Sequence, residues 1–549
     1  MKKNTGKDNS PVTMEYGEAL AVRMPGVLDM VLCYPNTYSV GMASLGFQTV
    51  WKLTAQSKWA NVERCFYGAA AAARSLESGS NLKSFDIAAF SVSFELDYIN
   101  LIKMLMYGGM EPLACDRKAT DPLIIGGGAF TFFNPEVLAP VLDIIFVGEA
   151  EDGFTQLLGT IYQLRCADKT KDEILMALST VPSLYIPSLM GNGKQMVPVA
   201  KAVLNEFTSE DIACSFRLSP ESEFPDTFLL EIARGCGRHC RYCMAGYCYR
   251  KPRFHSFTSL KPVLDKAMQL ADKIGLVGAA VSDHPDIDAI VNYIRGCKKN
   301  LSVSSLRAET ADAELFRALA QSGQKTVTFA PETGSLHLRQ MINKDITDEL
   351  LFEKIRLACE CGLLNVRYYL MIGLPTETEN DIQENIDFIL RADAVLKQAS
   401  SGRGRSTLSV GIFVPKPWTP FERVAMLDPK EADTRLEKIK KVLGSKGIRV
   451  NSESSGWAWV QGILARGSRR TGVKLVSLVQ EDILSASRLK KAFADEPRDY
   501  LNISHEQMPW SSIDNGVDVS YLELEYEKAL AGELTSPCMG IDCTRCGVC

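Results

Sequence analysis

From about residue 26 to residue 415 the chain repeats one pattern, a short apolar run of strand length followed by an amphipathic stretch of helix length. No other feature constrains the fold as much, because strands joined by helix-length crossovers pair in parallel and are covered on both faces. The pattern comes in two blocks. DMVLCYP (29–35), FDIAAFSVSF (85–94), PLIIGGGAF (122–130) and DIIFVGEAE (143–151) read as strands of a first sheet, with helical stretches such as YINLIKMLMYGG and GFTQLLGTIYQL between them. FLLEIAR (228–234), LVGAAVS (276–282), LSVSSLR (301–307), KTVTFAPE (325–332), NVRYYLMIGLP (365–375) and LSVGIFVP (408–415) read as six strands of a second. Helical segments at 259–274, 286–299, 311–322, 348–361 and 379–398 separate them.

The expected fold class is therefore α/β. Residues 1–25 read as a lead-in, 26–204 as a Rossmann-like doubly wound domain, and 205–227, polar and broken by proline, as a linker. Residues 228–428 read as a (β/α)6 partial barrel, 429–535 as a small α+β region, and 536–549 as a cysteine-rich tail. Ligands of such sheets sit at the carboxyl ends of the strands, here PNTYSVG, SFEL, GGGAF and GEAED in the first block.

The lysines at the N-terminus are followed by no apolar stretch, so no signal peptide is expected, and no run reaches the ~20 apolar residues that span a bilayer. A cytoplasmic protein with no membrane association is expected, and its cysteines should then be thiols rather than disulfides. The net charge of −5 provides no global footprint for nucleic acid, though a short basic run, GSRR (467–470), leaves RNA contact open beside the plainer reading of a solvated helix end.

Of 16 cysteines, nine are scattered and seven form two clusters. Cys236, Cys240 and Cys243 have the spacing C-x3-C-x2-C directly after a predicted strand. Structural zinc sites want four ligands. Three thiolates on a four-iron cubane leave one iron open, which is what a catalytic metal needs. Cys538, Cys543, Cys546 and Cys549 have the spacing C-x4-C-x2-C-x2-C, which suits a zinc ion, a second iron–sulfur cluster or a redox tail.

The C-x3-C-x2-C motif after the first barrel strand, with Tyr242 just before its third cysteine, resembles the radical S-adenosylmethionine (radical SAM) superfamily. The resemblance implies a [4Fe–4S] cluster whose open iron chelates S-adenosylmethionine (SAM). Reductive cleavage of SAM would then give a 5′-deoxyadenosyl radical that abstracts hydrogen from a substrate. It also implies an electron donor such as flavodoxin or ferredoxin, and an unidentified substrate. By the same resemblance Glu332 in APETGS contacts SAM, Gly373 in YYLMIGLPTET lies against the adenine, and VPKPWTPFE (414–422) is the sixth-strand segment. Ser305 and Arg307 sit at the third strand end, where an arginine can grip a carboxylate. The superfamily's GGE-type motif after the second strand is absent, and AAVSDHP (279–285) stands there.

A Rossmann-like domain before such a barrel resembles the cobalamin-binding branch, and the whole chain, including the ALAGELTSPC lead-in and the CGVC ending, resembles an uncharacterised bacterial subfamily with a cysteine-rich C-terminal tail. That branch often carries a histidine below the cobalt. Here Asn36 and Tyr38 stand at the Asp and His positions of its motif, and the first histidine of the chain is His239. Two outcomes follow, cobalamin bound without a histidine ligand, with cobalamin-dependent methyl transfer implied beside hydrogen abstraction, or a domain that has no cobalamin and serves as a substrate-binding or structural platform. A further alternative is a methylthiotransferase-like enzyme acting on RNA, with Cys33, Cys65 and Cys115 on a second cluster. The last alternative is a non-catalytic iron–sulfur assembly protein.

Overall fold

The computed structural model describes residues 14–18, 22–68, 72–190, 198–303, 306–497, 499–538 and 543–548. The chain divides into two compact units. One comprises Met1–Leu229 with Gly467–Leu484 and Pro509–Asn515, and the other Leu230–Arg466 with Ser485–Met508 and Gly516–Cys549.

The first unit is built on a six-stranded sheet. Its strands are β1 (Leu28–Tyr34), β2 (Ala60–Phe66), β3 (Ile87–Ser91), β4 (Leu123–Gly127), β5 (Ile144–Phe146) and β6 (Leu184–Tyr185), in the order β2-β1-β3-β4-β5-β6. All neighbours are parallel except β5 and β6. The chain turns one way from β1 to β2 and the other way to β3, which is the switch point where doubly wound sheets open a crevice. Apart from β2, the strands are mostly apolar because both faces are buried. Met30, Leu32 and Tyr34 face a core shared with Phe47, Trp51, Leu157 and Leu158. Val31 and Cys33, which point the other way, are also fully buried.

The pattern of apolar runs does not reveal β2, because Glu63 and Arg64 interrupt it. Tertiary contacts explain the exception. The Arg64 guanidinium is buried 3.9 Å from the centre of the Trp51 ring and pairs with Glu15 and Glu77 at 2.7 Å each. The stretch 205–227 is likewise part of this unit. Arg217–Leu218 pairs with Tyr16–Gly17, and the Gln48 side chain accepts from the backbone N–H of Phe216 and Arg217.

Residues 429–535 do not form one body. Gly467–Leu484 packs with the first unit because Arg469 donates to Glu136 at 2.7 Å, to the Pro187 carbonyl at 3.0 Å and to the Tyr185 hydroxyl at 2.6 Å. The GSRR run is thus no simple solvated helix end, since its first arginine is committed to an internal carboxylate.

The second unit carries the other alternating block. Its strands are β7 (Thr227–Glu231), β8 (Lys273–Val277), β9 (Asn300–Val303), β10 (Thr326–Glu332), β11 (Asn365–Ile372), β12 (Arg405–Ile412) and β13 (Arg449–Ser452). They follow chain order in a three-stranded sheet, β7-β8-β9, and a four-stranded sheet, β10-β11-β12-β13. Helices Phe257–Leu270, Ile287–Gly296, Ala313–Gln321, Asp348–Glu360 and Glu379–Ala399 alternate with the first six strands, giving the partial barrel. The seventh strand, RVNS, is polar and half exposed, so it carries no apolar signal. Among the described residues no helix is long and apolar enough to cross a membrane.

Candidate active site

The loop from Gly235 to Pro252 leaves the barrel just after β7. It is closed at its base by an antiparallel pair, Ala233 with Phe254 and Arg234 with Arg253. Inside it, the Cys243 N–H donates to the Cys240 carbonyl at 2.9 Å and the Gly246 N–H to the Cys243 carbonyl at 3.1 Å. These turns leave Cys236 and Cys243 partly exposed and Cys240 buried. The three thiols feel one another. Burial, followed by Cys240 and Cys236, pushes Cys243 up to about 12. Burial also raises Cys236, against the opposing backbone N–H of Arg238.

Charged groups from the next strand ends surround the thiols. Burial opposes the charge of Arg307, but Glu309, Cys240, Asp283 and Cys236 outweigh it and raise its pKa. Burial opposes that of Lys344 too, and Glu332 and Cys240 outweigh it. Lys344 lies 3.4 Å from Glu332, which ends β10 with φ 68° at a register shift against β11. Tyr242 is hydrogen-bonded to Glu332, and burial first and then that carboxylate hold its phenol well above its usual range.

Asp283 is the site residue that sequence reasoning missed. It sits where the GGE-type motif was sought and accepts from Arg238 at 2.7 Å and from the Thr310 hydroxyl at 2.8 Å, while Arg307 lies 3.8 Å away. Its only signal in the sequence is its place after the second barrel strand.

Two further SAM contacts are expected from the sequence. Ser305 lies outside the described residues. Gly373 directly follows β11 with φ 84°, and a Cβ there would come within 2.9 Å of the Leu427 Cβ. Its N–H donates to Glu377 at 2.6 Å, so packing of its own turn accounts for the glycine.

The C-terminal tail lies against the cysteine loop. The Cys538 N–H donates to the Gly237 carbonyl at 2.7 Å. Asn343 stitches the two together. Its amide donates to the carbonyls of Arg238, His239 and Thr535, and its oxygen accepts from the Thr535 N–H at 2.8 Å. His239, fully buried, meets the Tyr521 hydroxyl at 2.6 Å and the Arg250 guanidinium at 2.7 Å. Burial and then Arg250 hold its pKa down at about 2, so the ring is neutral. That agrees with a guanidinium that offers only donors. Cys549 lies outside the described residues.

A Cβ on Gly237 would sit 2.2 Å from the Cys538 carbonyl oxygen. Gly237→Ala is therefore expected to push the tail off the loop and cost about 1–3 kcal/mol, as overpacking does. Denaturant unfolding and faster proteolysis beyond residue 532 check it. An unchanged cleavage pattern contradicts the docking.

Among the described residues no three His, Cys, Asp or Glu side chains converge on a position for one metal ion. An iron–sulfur cubane does not require that, because each thiolate takes its own iron and the side chains ring the cluster. A three-thiol loop opening beside paired cationic and anionic side chains at the strand ends of a β/α barrel defines a cluster-dependent enzyme class.

Residues 230–389 match the model of the radical SAM superfamily, and residues 46–187 match the model for radical SAM proteins, N-terminal. The chain belongs to the radical SAM superfamily and is a radical SAM enzyme, with a [4Fe–4S] cluster and SAM as its cofactors. An uncharacterized protein of Methanocaldococcus jannaschii is 28% identical over 491 residues, covering 89% of this chain and 99% of that one. A tRNA-2-methylthio-N(6)-dimethylallyladenosine synthase of Ruegeria sp. is 23% identical over 275 residues, which covers 47% of this chain and 59% of the synthase. Among solved structures, the radical SAM methyltransferase TsrM from Kitasatospora setae aligns with a TM-score of 0.47 at 13% identity. That alignment covers 72% of this chain and 75% of TsrM.

Proposed function

We propose that Cys236, Cys240 and Cys243 hold the catalytic cluster and that this enzyme cleaves SAM reductively to start hydrogen abstraction on a substrate. The observation that carries the reading is the convergence of Arg307, Lys344, Glu332 and Asp283 on the thiol loop. When bound, the cluster supplies the electron that breaks a carbon–sulfur bond of SAM, giving methionine and, after hydrogen transfer, 5′-deoxyadenosine. The protein's own residues bind and orient. Arg307 offers a fork that matches the SAM carboxylate, and Glu332, steadied by Tyr242 and Lys344, presents a negative charge toward the cationic cofactor. The electron comes from a reduced flavodoxin or ferredoxin in the cytoplasm.

Among the described residues of the first unit, the two at the cobalt-ligand motif do not fit a side-chain ligand for cobalt. Tyr38 donates to Glu15 at 2.7 Å and Asn36 to Asp97 at 2.9 Å. Two of the glycines expected to admit a ligand instead admit the chain itself. A Cβ on Gly128 would lie 2.5 Å from the Val92 carbonyl oxygen, and one on Gly148 would lie 2.4 Å from the Ala202 backbone. The reading therefore routes no step through cobalamin.

A methylthiotransferase-type second cluster is not favoured either. Cys33 and Cys65 are buried cross-strand partners, whereas Cys115 is exposed on a separate turn. The test is anaerobic reconstitution followed by dithionite and SAM. Formation of 5′-deoxyadenosine is expected. Failure to form 5′-deoxyadenosine overturns the reading.

A further inference from the structure

We propose that Cys538, Cys543 and Cys546 form a second, separate thiolate metal site that pins the C-terminal tail onto the loop carrying the catalytic cysteines. The argument begins with burial. Residues 533–548 contain few apolar side chains, yet Cys538 is 5% exposed and Cys546 is fully buried. Terminal segments of such composition lack the apolar area to order themselves and need another tie. The segment doubles back here: Arg545, two residues after Cys543, donates to the carbonyl of Pro537, the residue before Cys538, at 3.2 Å.

Cations are placed on two of the three sulfurs. Arg545 Nε lies 3.3 Å from Cys543 Sγ, and its other nitrogens donate to the Ser536 and Pro537 carbonyls, which fold the segment back on itself. Arg250 Nη1 lies 3.1 Å from Cys546 Sγ. A thiolate metal centre carries net negative charge, and guanidinium groups at its sulfurs offset that charge as hydrogen-bond donors. Arg250 is only 2% exposed, and burying it costs free energy unless an anion faces it. Each cysteine that becomes a ligand releases its proton to solvent.

The site is attached to the catalytic loop at two points. Arg250 bridges Cys546 to His239, the residue before Cys240. Cys538 pairs with Gly237, the residue after Cys236. One hydrogen bond and one residue step thus separate Cys538 from Cys236, a span on the order of 10 Å. An iron–sulfur cluster suits these ligands, because its thiolates ring the cluster and need not converge on one ion. Cys549, whose spacing makes it the fourth candidate, belongs to the sequence argument alone.

The test uses the full chain. In the first arm Cys236, Cys240 and Cys243 are all replaced by alanine, so that bound metal reports the tail alone. After anaerobic incubation with iron and sulfide the variant should retain about four irons per chain. Adding Cys538→Ser and Cys543→Ser should remove them. A folded triple variant that binds no iron overturns the proposal. The second arm keeps the catalytic cysteines and carries Cys538→Ser with Cys543→Ser only. Its metal content should fall by one centre relative to the unaltered chain, and an unchanged content also overturns the proposal. This arm decides alone if the triple variant does not fold. Failure of the catalytic assignment reads differently, as equal metal content in the unaltered chain and the triple variant.

Discussion

Cys240→Ala is expected to abolish formation of 5′-deoxyadenosine and to strip the catalytic iron, while Arg307→Ala is expected to keep the iron and weaken SAM binding. The two losses have different physical origins. A cluster ligand is irreplaceable by a methyl group, and Cys240 is the most buried of the three thiols, so water cannot substitute well. The loss should exceed the about 10–100-fold typical of residues that only orient a metal's ligands. Arg307 is instead a charge-assisted hydrogen-bond donor, worth about 1.5–3 kcal/mol, or roughly 10–100-fold in SAM affinity. Iron content, visible absorption and SAM titration by calorimetry separate the outcomes. An Arg307→Ala enzyme that loses its iron would show that Arg307 supports the loop rather than the cofactor. A Cys240→Ala enzyme that still makes 5′-deoxyadenosine would remove Cys240 from the cluster.

Glu525→Leu is expected to destabilise the second unit by about 3–5 kcal/mol, because it strands a buried cation. Arg241 and Glu525 meet at 3.1 Å with both side chains fully buried. Arg241 lies next to Cys240 in the chain and also donates to the carbonyls of Gln340, Met341 and Glu533 at 3.2, 2.9 and 2.7 Å. One side chain thus joins the cysteine loop, the last turn of the short helix Leu336–Met341, and the segment just past the helix Val519–Ala531. The double variant Arg241→Met with Glu525→Leu should recover much of the loss, since no charge remains unpaired. It should not recover all of it, because three carbonyls lose a donor at about 1 kcal/mol each. Denaturant unfolding of anaerobically purified protein measures both. A double variant no more stable than Glu525→Leu would mean that the carbonyl contacts, not the ion pair, hold the tail.

The parts of the fold that the sequence announced are those whose signal is local and repeated. Each of the six apolar runs of the second block overlaps a strand, although β8 shares only Leu276 and Val277 with its run, and the helices between them fall close to where their 3.6-residue periodicity puts them. What stayed hidden has a common cause. β2 contains Arg64, whose charge is neutralised by Glu15 and Glu77, residues remote or on another loop. β13 is a polar edge without an apolar run. Residues 467–484 look like any surface helix until Arg469 finds Glu136, more than three hundred positions earlier.

The candidate site divides along the same line. The spacing of Cys236, Cys240 and Cys243 by itself pointed to cluster chemistry, because three thiols within a span of eight residues just after a strand have few other uses. The spacing of the tail cysteines likewise marked a thiol device without saying where it lies. Tertiary structure alone decided that Asp283 belongs beside Arg307 and that Gly373 answers to Leu427. It also decided that Cys538 docks on Gly237, next to Cys236. Ligand spacing is a property of a few consecutive residues and survives in one dimension. Pairing of charges and burial of a tail depend on residues brought together from distant parts of the chain, and only the folded molecule contains that information.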